Sequence, residues 1–214
     1  VTGTDTGIGK TFVSCALLHA LCARGLRTTG MKPIAAGIEA DGSNEDVERL
    51  RAASSVRVER SLVNPYLLRE PIAPHLAAAD EGIRLALPTI RDAFDALTDL
   101  TDAVIVEGCG GFVVPLDESH DTADLALCLD LPVILVVGMR LGCLNHALLT
   151  EEAIARRGLT LAGWVANRID PQMLRFEANL ATLEVRIAAP LLGVVPHMPA
   201  GDPAKAASHL ALPP

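Results

Sequence analysis

Gly3-Thr4-Asp5-Thr6-Gly7-Ile8-Gly9-Lys10-Thr11 stands almost at the start of the chain and leads into an apolar run at helical spacing. A glycine-rich turn that ends in Gly-Lys-Thr ahead of a helix is the pattern of a phosphate-binding loop. Backbone N–H groups from Gly7 through Ile8 and Gly9 to Phe12 would face a polyphosphate at the helix N-terminus, where the dipole favours negative charge. Lys10 would reach the β- and γ-phosphates, and the Thr11 hydroxyl would hold Mg²⁺. The general form G-x-x-x-x-G-K-[ST] places its first glycine at Thr4, whereas this chain has it at Gly3, one place early.

Outward from the loop, Val13, Leu17, Leu18, Leu21 and Cys22 recur at helical spacing, so a helix runs from Thr11 to Arg24 and stops at Gly25. Val1 and Thr2 read as the tail of a first strand that is cut short. Thr28 to Ala36 reads as a short strand and its exit, with Met31-Lys32-Pro33 turning the chain outward because Pro33 cannot donate to a ladder. The polar stretch Gly37–Asn44 is a loop, and Asn44 or Ser43 caps a helix through Val47 and Leu50. Ser61 to Pro74 carries three prolines and predicts extended loop with a short helix. A helix at Thr89–Thr98 precedes Ala103-Val104-Ile105-Val106-Glu107, a β-branched run that ends in an acid and then Gly108-Cys109-Gly110-Gly111. That arrangement resembles a Walker B strand. Helices near Ala123–Asp130, Leu144–Arg157 and Gln172–Ile187 alternate with strands at Pro132–Gly138, Leu161–Ala166 and Leu191–Val195.

Strands alternating with helices predict an α/β fold: a mainly parallel sheet flanked by helices, a single P-loop NTPase-like domain over residues 1–214. Ligands of such sheets lie at the carboxyl ends of the strands. The loop, Lys32, Glu107 and Asn167 all fall there. Glu107 and Asp46 are the acids that would complete the metal's oxygen set with Thr11, since Mg²⁺ takes hard oxygen ligands. Lys32 would stabilise negative charge near the phosphates, and Asn167 would offer its amide to a purine edge. On residues alone, Lys32 also reads as a snorkelling surface lysine, and Asp46 as a first-turn capping acid.

Composition bounds the partners. Half the 214 residues are hydrophobic and only 3% are aromatic, so the core is aliphatic and offers no stacking platform for bases. The formal net charge is −8 and no Lys/Arg run exceeds two residues, which disfavours nucleic acid and anionic membranes as partners. Five cysteines without a C-x-x-C form no disulfide framework and fit a reducing cytoplasm. No apolar run reaches the roughly 18 residues of a membrane span. Cys143 and His146 lack a second metal-ligating pair. Asp117-Glu118 reads as a solvated loop, Ser14 and Ser119 have no partner histidine, and His19 lies in an apolar helical pattern.

Several separated blocks resemble one family. Gly3-Thr4-Asp5-Thr6 with Gly9-Lys10-Thr11, Met31-Lys32-Pro33, Val106-Glu107-Gly108-Cys109-Gly110-Gly111, Leu135-Val136-Val137-Gly138, Leu141-Gly142-Cys143-Leu144-Asn145-His146 and Gly163-Trp164-Val165-Ala166-Asn167 are similar to the dethiobiotin synthetases, from the first residue to about Pro196. The resemblance implies an ATP- and Mg²⁺-dependent cyclo-ligase. It would join CO₂ to 7,8-diaminopelargonic acid through a carbamate and a carbamic–phosphoric anhydride. By the same resemblance, Lys10, Lys32 and Thr6 would act on the reacting groups, and Thr11, Asp46 and Glu107 would hold Mg²⁺. Gly108, Cys109 and Gly110 would border the phosphates. Asn167, Arg168, Pro196, His197 and Met198 would receive adenine, although His197 departs from the family pattern. Thr6, Lys32 and Ala36 would meet the diamine; the family often has Ser where this chain has Ala36. Gly142, Cys143 and Asn145 would reach across a homodimer to the substrate's carboxylate. A nucleotide-switch ATPase of the partition or cell-division type is the second reading, but those proteins keep a lysine where this chain has Asp5. A cobyrinate-type amide-forming ATPase is a third, disfavoured by length.

Overall fold

The computed structural model describes residues 1–199 and 201–213. In chain order the elements are β1 (Thr2–Gly3), α1 (Lys10–Cys22), β2 (Thr28–Met31), β3 (Ile34–Ala36), α2 (Glu45–Ala53), α3 (Arg60–Val63), β4 (Tyr66–Leu68) and α4 (Pro74–Asp80). Then follow α5 (Leu87–Leu100), β5 (Ala103–Val106), α6 (Thr122–Leu129), β6 (Val133–Gly138), α7 (Cys143–Arg156), β7 (Leu161–Asn167), α8 (Phe176–Arg186), β8 (Leu191–Val195) and α9 (Pro203–Ala206). All strand pairings between these elements are parallel: β1 with β6, β6 with β7, β7 with β8, β2 with β5, and β3 with β4. Gly108 N–H, just past β5, donates to the Val1 carbonyl at 3.0 Å and sets the end of β5 beside the start of β1. Thr11, Lys32 and Glu107 meet at one end of the sheet.

The period of two along the strands sorts the core. Leu135 and Val137 of β6, with Trp164 and Ala166 of β7, pack against Ala147 of α7 and Leu180 and Leu183 of α8. Ile134, Val136 and Val165 point the other way, onto Val13, Ala16 and Leu17 of α1 and Ala206 of α9. Every residue of β6 is buried, as expected of a central parallel strand covered on both faces. A third cluster joins Met31, Ile34 and Leu68 to Ile90, Phe94 and Leu97 of α5 and to Leu125 and Leu129 of α6.

Local chemistry sets the helix starts. The Asn44 side chain accepts from Val47 N–H and caps α2. Asp121 and Asp124 form a reciprocal capping box at α6, and Arg157 bonds both acids from the end of α7 at 2.5 and 2.6 Å.

Three expectations need correction. Pro33 interrupts the strand but does not end it: Ile34–Ala36 resumes as β3 and pairs with β4, inside the stretch read as loop. Asn64 makes this possible, its amide donating to the carbonyls of Lys32 and Tyr66 at 2.6 and 3.0 Å and bracing the two prolines' neighbours. Helix α4 was also not expected. It begins with Pro74 at its first position, where proline's missing N–H costs no hydrogen bond. Helix α8 begins at Phe176, four residues later than Gln172.

Candidate active site

The loop after β1 wraps around one buried side chain. Ile8 is 1% exposed and sits so close to Gly3 and Gly138 that a Cβ on either would lie 2.8 or 2.5 Å from it. The early glycine is thus explained by packing: Gly3 leaves room for Ile8 and for the Lys10 stem, which a Cβ would meet at 2.9 Å. Gly9 caps α1 at φ +84°, and a Cβ there would fall 2.2 Å from Asn167 Nδ2. Asn167, delivered by the end of β7, donates that nitrogen to the Ile8 carbonyl at 2.7 Å. One amide hydrogen of Asn167 therefore fixes the loop, a role that its position after a strand did not disclose. Asp5 does similar work on the outer side, pairing with Arg140 at 2.5 Å and accepting Thr6 N–H at 2.7 Å.

Beneath the loop lies a charged cluster. Lys32, 5% exposed, donates to Glu107 Oε1 at 2.5 Å and to Asp46 Oδ2 at 2.9 Å. Glu107, wholly buried, also accepts the Thr11 hydroxyl at 2.8 Å on the same oxygen. Burial alone would lower the Lys32 pKa, but attraction and hydrogen bonds from Glu107 and then Asp46 outweigh it and hold the ammonium charged well above its ordinary range. Asp46 experiences the reverse: desolvation pushes its pKa up, and Lys32 more than offsets this, leaving it below the usual carboxylate value. Among the described residues Lys10 has no carboxylate partner, and it donates to the Asp5 carbonyl at 2.8 Å. Burial, and next the repulsion of Lys32, lower its pKa. The readings of Lys32 as a surface snorkel and of Asp46 as a mere helix cap do not hold, since Lys32 is buried and Asp46 pairs with it.

A cavity of about 760 Å³ opens over the cluster, lined among others by Thr6, Gly7, Gly9, Lys10, Thr11, Phe12, Ala36, Asp46, Glu107, Cys109 and Gly110. Its far wall is Pro71–Pro74, from the segment between β4 and α4, together with Val114. Sequence reasoning missed this wall because prolines in a loop carry no chemical signature. Arg168, His197 and Met198 are not part of the cavity. They gather beside it where β7 and β8 end: Arg168 N–H bonds Val195, His197 Nδ1 lies 3.3 Å from the Arg168 carbonyl, and Arg168 covers the Phe176 ring at 4.7 Å. Met198 packs into the same apolar cluster as Phe12, which joins the two regions. Gly142, Cys143 and Asn145 start α7 beyond Arg140 and do not border the cavity. Cys143 is only 3% exposed, so its thiol faces the core.

The donor set suits a hard divalent cation. The Thr11 hydroxyl, the Asp46 carboxylate and Glu107 share one corner, and among the described residues the buried Glu107 Oε2 has no hydrogen-bond partner. A buried, unpartnered carboxylate oxygen calls for a ligand. Among the described residues, no group of three or more His, Cys, Asp or Glu side chains offers an alternative metal site, and no helix is long and apolar enough to cross a membrane.

Comparison with known proteins agrees with this geometry. The family described as an AAA domain matches residues 1–205. An ATP-dependent dethiobiotin synthetase BioD from Aromatoleum aromaticum is 61% identical, over all of this chain and 96% of its own length. The proteins of that name from Ralstonia nicotianae and Nitrosospira multiformis are 54% and 56% identical, over 100% and 92% of this chain and 95% and 87% of their own lengths. The chain belongs to the dethiobiotin synthetase family. Family membership also weighs against the nucleotide-switch ATPase reading, although the fold is shared. The cell-division ATPase MinD of Pyrococcus furiosus superposes with TM-score 0.56 at 22% identity, over 98% of this chain and 92% of its own. A ParA-family ATPase of Chlorobium tepidum does so with TM-score 0.57 at 16% identity, over 98% and 88%. Asp5 is tied to Arg140.

Proposed function

We propose that the protein carries out ATP-dependent carboxylation and ring closure of 7,8-diaminopelargonic acid to dethiobiotin. The observation that carries this reading is the pair of buried lysines, Lys10 and Lys32, in one cavity with a carboxylate–hydroxyl corner fit for Mg²⁺. Identity of 54–61% to relatives named for this synthesis supports it.

The chemistry requires no protein nucleophile. One substrate amine adds to CO₂ and loses a proton to give a carbamate. A carbamate oxygen then displaces ADP from the γ-phosphorus of ATP, and the second amine attacks the carbonyl carbon, expelling phosphate and a proton as the ring closes. Both displacements need negative charge neutralised and two reacting groups aligned. Lys32, kept protonated by Glu107 and Asp46, supplies a fixed positive charge for the carbamate and the transferring phosphoryl group. Lys10 moves from the Asp5 carbonyl to the phosphates, a hydrogen bond it gives up easily because that carbonyl remains near solvent. Thr11, Asp46 and Glu107 would hold Mg²⁺, which would supply charge neutralisation on the phosphates. Thr6 and Ala36 border the diamine, and the absent hydroxyl at Ala36 leaves that contact to water. Asn167 keeps its amide oxygen and second hydrogen for adenine while bracing the loop, with Arg168, Pro196, His197 and Met198 around the base.

Two copies of the chain complete the site. Leu141 is 97% exposed, Leu174 and Val185 86%, and Leu149 57%, all on or beside α7 and α8, which pack together. Such an apolar face suits an interface between copies, and it is continuous with Gly142, Cys143 and Asn145, whose backbone would meet the partner's substrate carboxylate.

The decisive test incubates the protein with ATP, Mg²⁺, bicarbonate and the diamine, and follows ADP and product mass. ADP release that depends on the diamine and yields dethiobiotin is expected. Release indifferent to the diamine would refute the reading.

A further inference from the structure

One cation bordering the cavity has no part in the mechanism above. Arg49 lies on α2 three residues after Asp46, hence on the same face and about 4.5 Å farther along the helix. It lines the cavity together with Thr11, Phe12 and Asp46.

At present the guanidinium donates to Glu45 Oε1 at 2.5 Å, one turn back on α2, and the two side chains are 56% and 64% exposed. Exposed ion pairs at this spacing contribute little. A phosphate offers the fork of N–H groups a stronger, bidentate partner. The two cavity lysines have prior ties: Lys32 is held by Glu107 and Asp46, and Lys10 serves the phosphates alone. The cavity then presents Lys10, Lys32 and Arg49 against Asp46 and Glu107, and Arg49 supplies the surplus positive charge.

We propose that Arg49 leaves Glu45 when nucleotide enters and binds a phosphate oxygen on the open side of the polyphosphate, next to the metal corner. This rests on the nucleotide-binding reading given above. Glu45 is then a competitor, and its strength sets how much of Arg49 is free to bind.

Isothermal titration of the full chain with Mg²⁺ and a non-hydrolysable ATP analogue, and separately with AMP, tests the inference. Arg49→Ala should weaken binding of the triphosphate about 10-fold, as expected for loss of a charge-assisted hydrogen bond, and binding of AMP less than about 2-fold. Arg49→Lys should fall between the two. Glu45→Gln should tighten triphosphate binding about 2-fold, and this gain should vanish in the double variant with Arg49→Ala. Thermal unfolding without ligand checks that α2 is intact in each variant. If the Arg49→Ala protein binds the triphosphate as the parent does, or if Glu45→Gln acts equally with and without Arg49, the inference is overturned. Failure of the parent protein to bind any nucleotide would instead overturn the nucleotide reading itself.

Discussion

Glu107→Gln separates the structural from the chemical role of the charged cluster. The substitution keeps the side-chain shape, and its amide oxygen still accepts from Thr11 and Lys32. It removes the one counter-charge that Lys32 meets wholly out of water, with Lys32 5% exposed and Glu107 fully buried. Breaking a buried pair by deleting one partner costs about 3–5 kcal/mol. Asp46 still faces the ammonium at 2.9 Å, and its carboxylate is 41% exposed, so the lower end, about 3 kcal/mol, is the expected loss. At about 2–4 °C per kcal/mol for a chain of this size, Tm falls by about 6–12 °C. The deletion also takes Oε2 from the metal corner, so turnover drops and Mg²⁺ is needed at higher concentration. Asp46→Asn is the control: it loses a half-exposed pair worth less than about 1 kcal/mol, and Tm shifts by less than about 4 °C, yet it too raises the Mg²⁺ requirement. Calorimetry of the ligand-free proteins and turnover against Mg²⁺ concentration read the two effects apart. A Glu107→Gln protein that melts with the parent would show that Glu107 does not hold the Lys32 charge, and the account of the cluster would fall with it.

Three further outcomes follow from the same geometry. Lys32→Ala should lower turnover by about 100-fold or more, the scale of removing a charge-stabilising donor, with ATP affinity changed far less; near-normal turnover would take Lys32 out of the chemistry. Gly9→Ala should lose nucleotide binding and about 1–2 kcal/mol of stability for the left-handed backbone alone, since its φ is +84° and its Cβ would displace Asn167; unchanged titration and melting curves would contradict this. Lys10 carries a pH signature, because burial and then Lys32 lower its pKa from 10.5. Its proton is lost below that pH in the folded chain, so nucleotide affinity should decline on the alkaline side earlier than a free lysine would predict. In the same window the unfolded chain binds more protons, so its contribution to stability rises with pH, and the Tm gap between Lys10→Met and parent should shrink there; a gap independent of pH would refute it.

The fold was legible where a strand is buried on both faces. Val133–Gly138 and Leu161–Asn167 read as apolar runs because helices cover both sides of the sheet there, and no other environment favours such composition. Tyr66–Leu68 was not legible: it is three residues long, follows Asn64-Pro65, and owes its pairing to β3 to a side-chain amide from Asn64 rather than to any pattern of its own. Helix α4 likewise gains its place from Ala77 and Ala78 packing under β3 and β4, a tertiary contact invisible in a seven-residue stretch.

The site divides along the same line. That Lys10, Thr11, Lys32, Asp46 and Glu107 lie together in one cavity was legible in the sequence, because phosphate chemistry restricts which residue types serve and strand ends in a parallel sheet converge. What the sequence left hidden is how the loop is held. Ile8 wedges between Gly3 and Gly138, Asn167 ties its carbonyl, and Asp5 is clasped by Arg140. These restraints come from β1, β6 and β7, far apart in sequence and adjacent only in space. They bear on the two ATPase readings more than the loop's own residues do. A lysine at Asp5 would meet Arg140 with like charge, so the switch-ATPase signature is incompatible with this clasp as it stands. Asp5→Lys should therefore loosen the loop and weaken nucleotide binding without conferring a partner-dependent switch. Pairing it with Arg140→Asp should restore binding, and failure of that charge reversal would show that Asp5 matters for something other than the clasp.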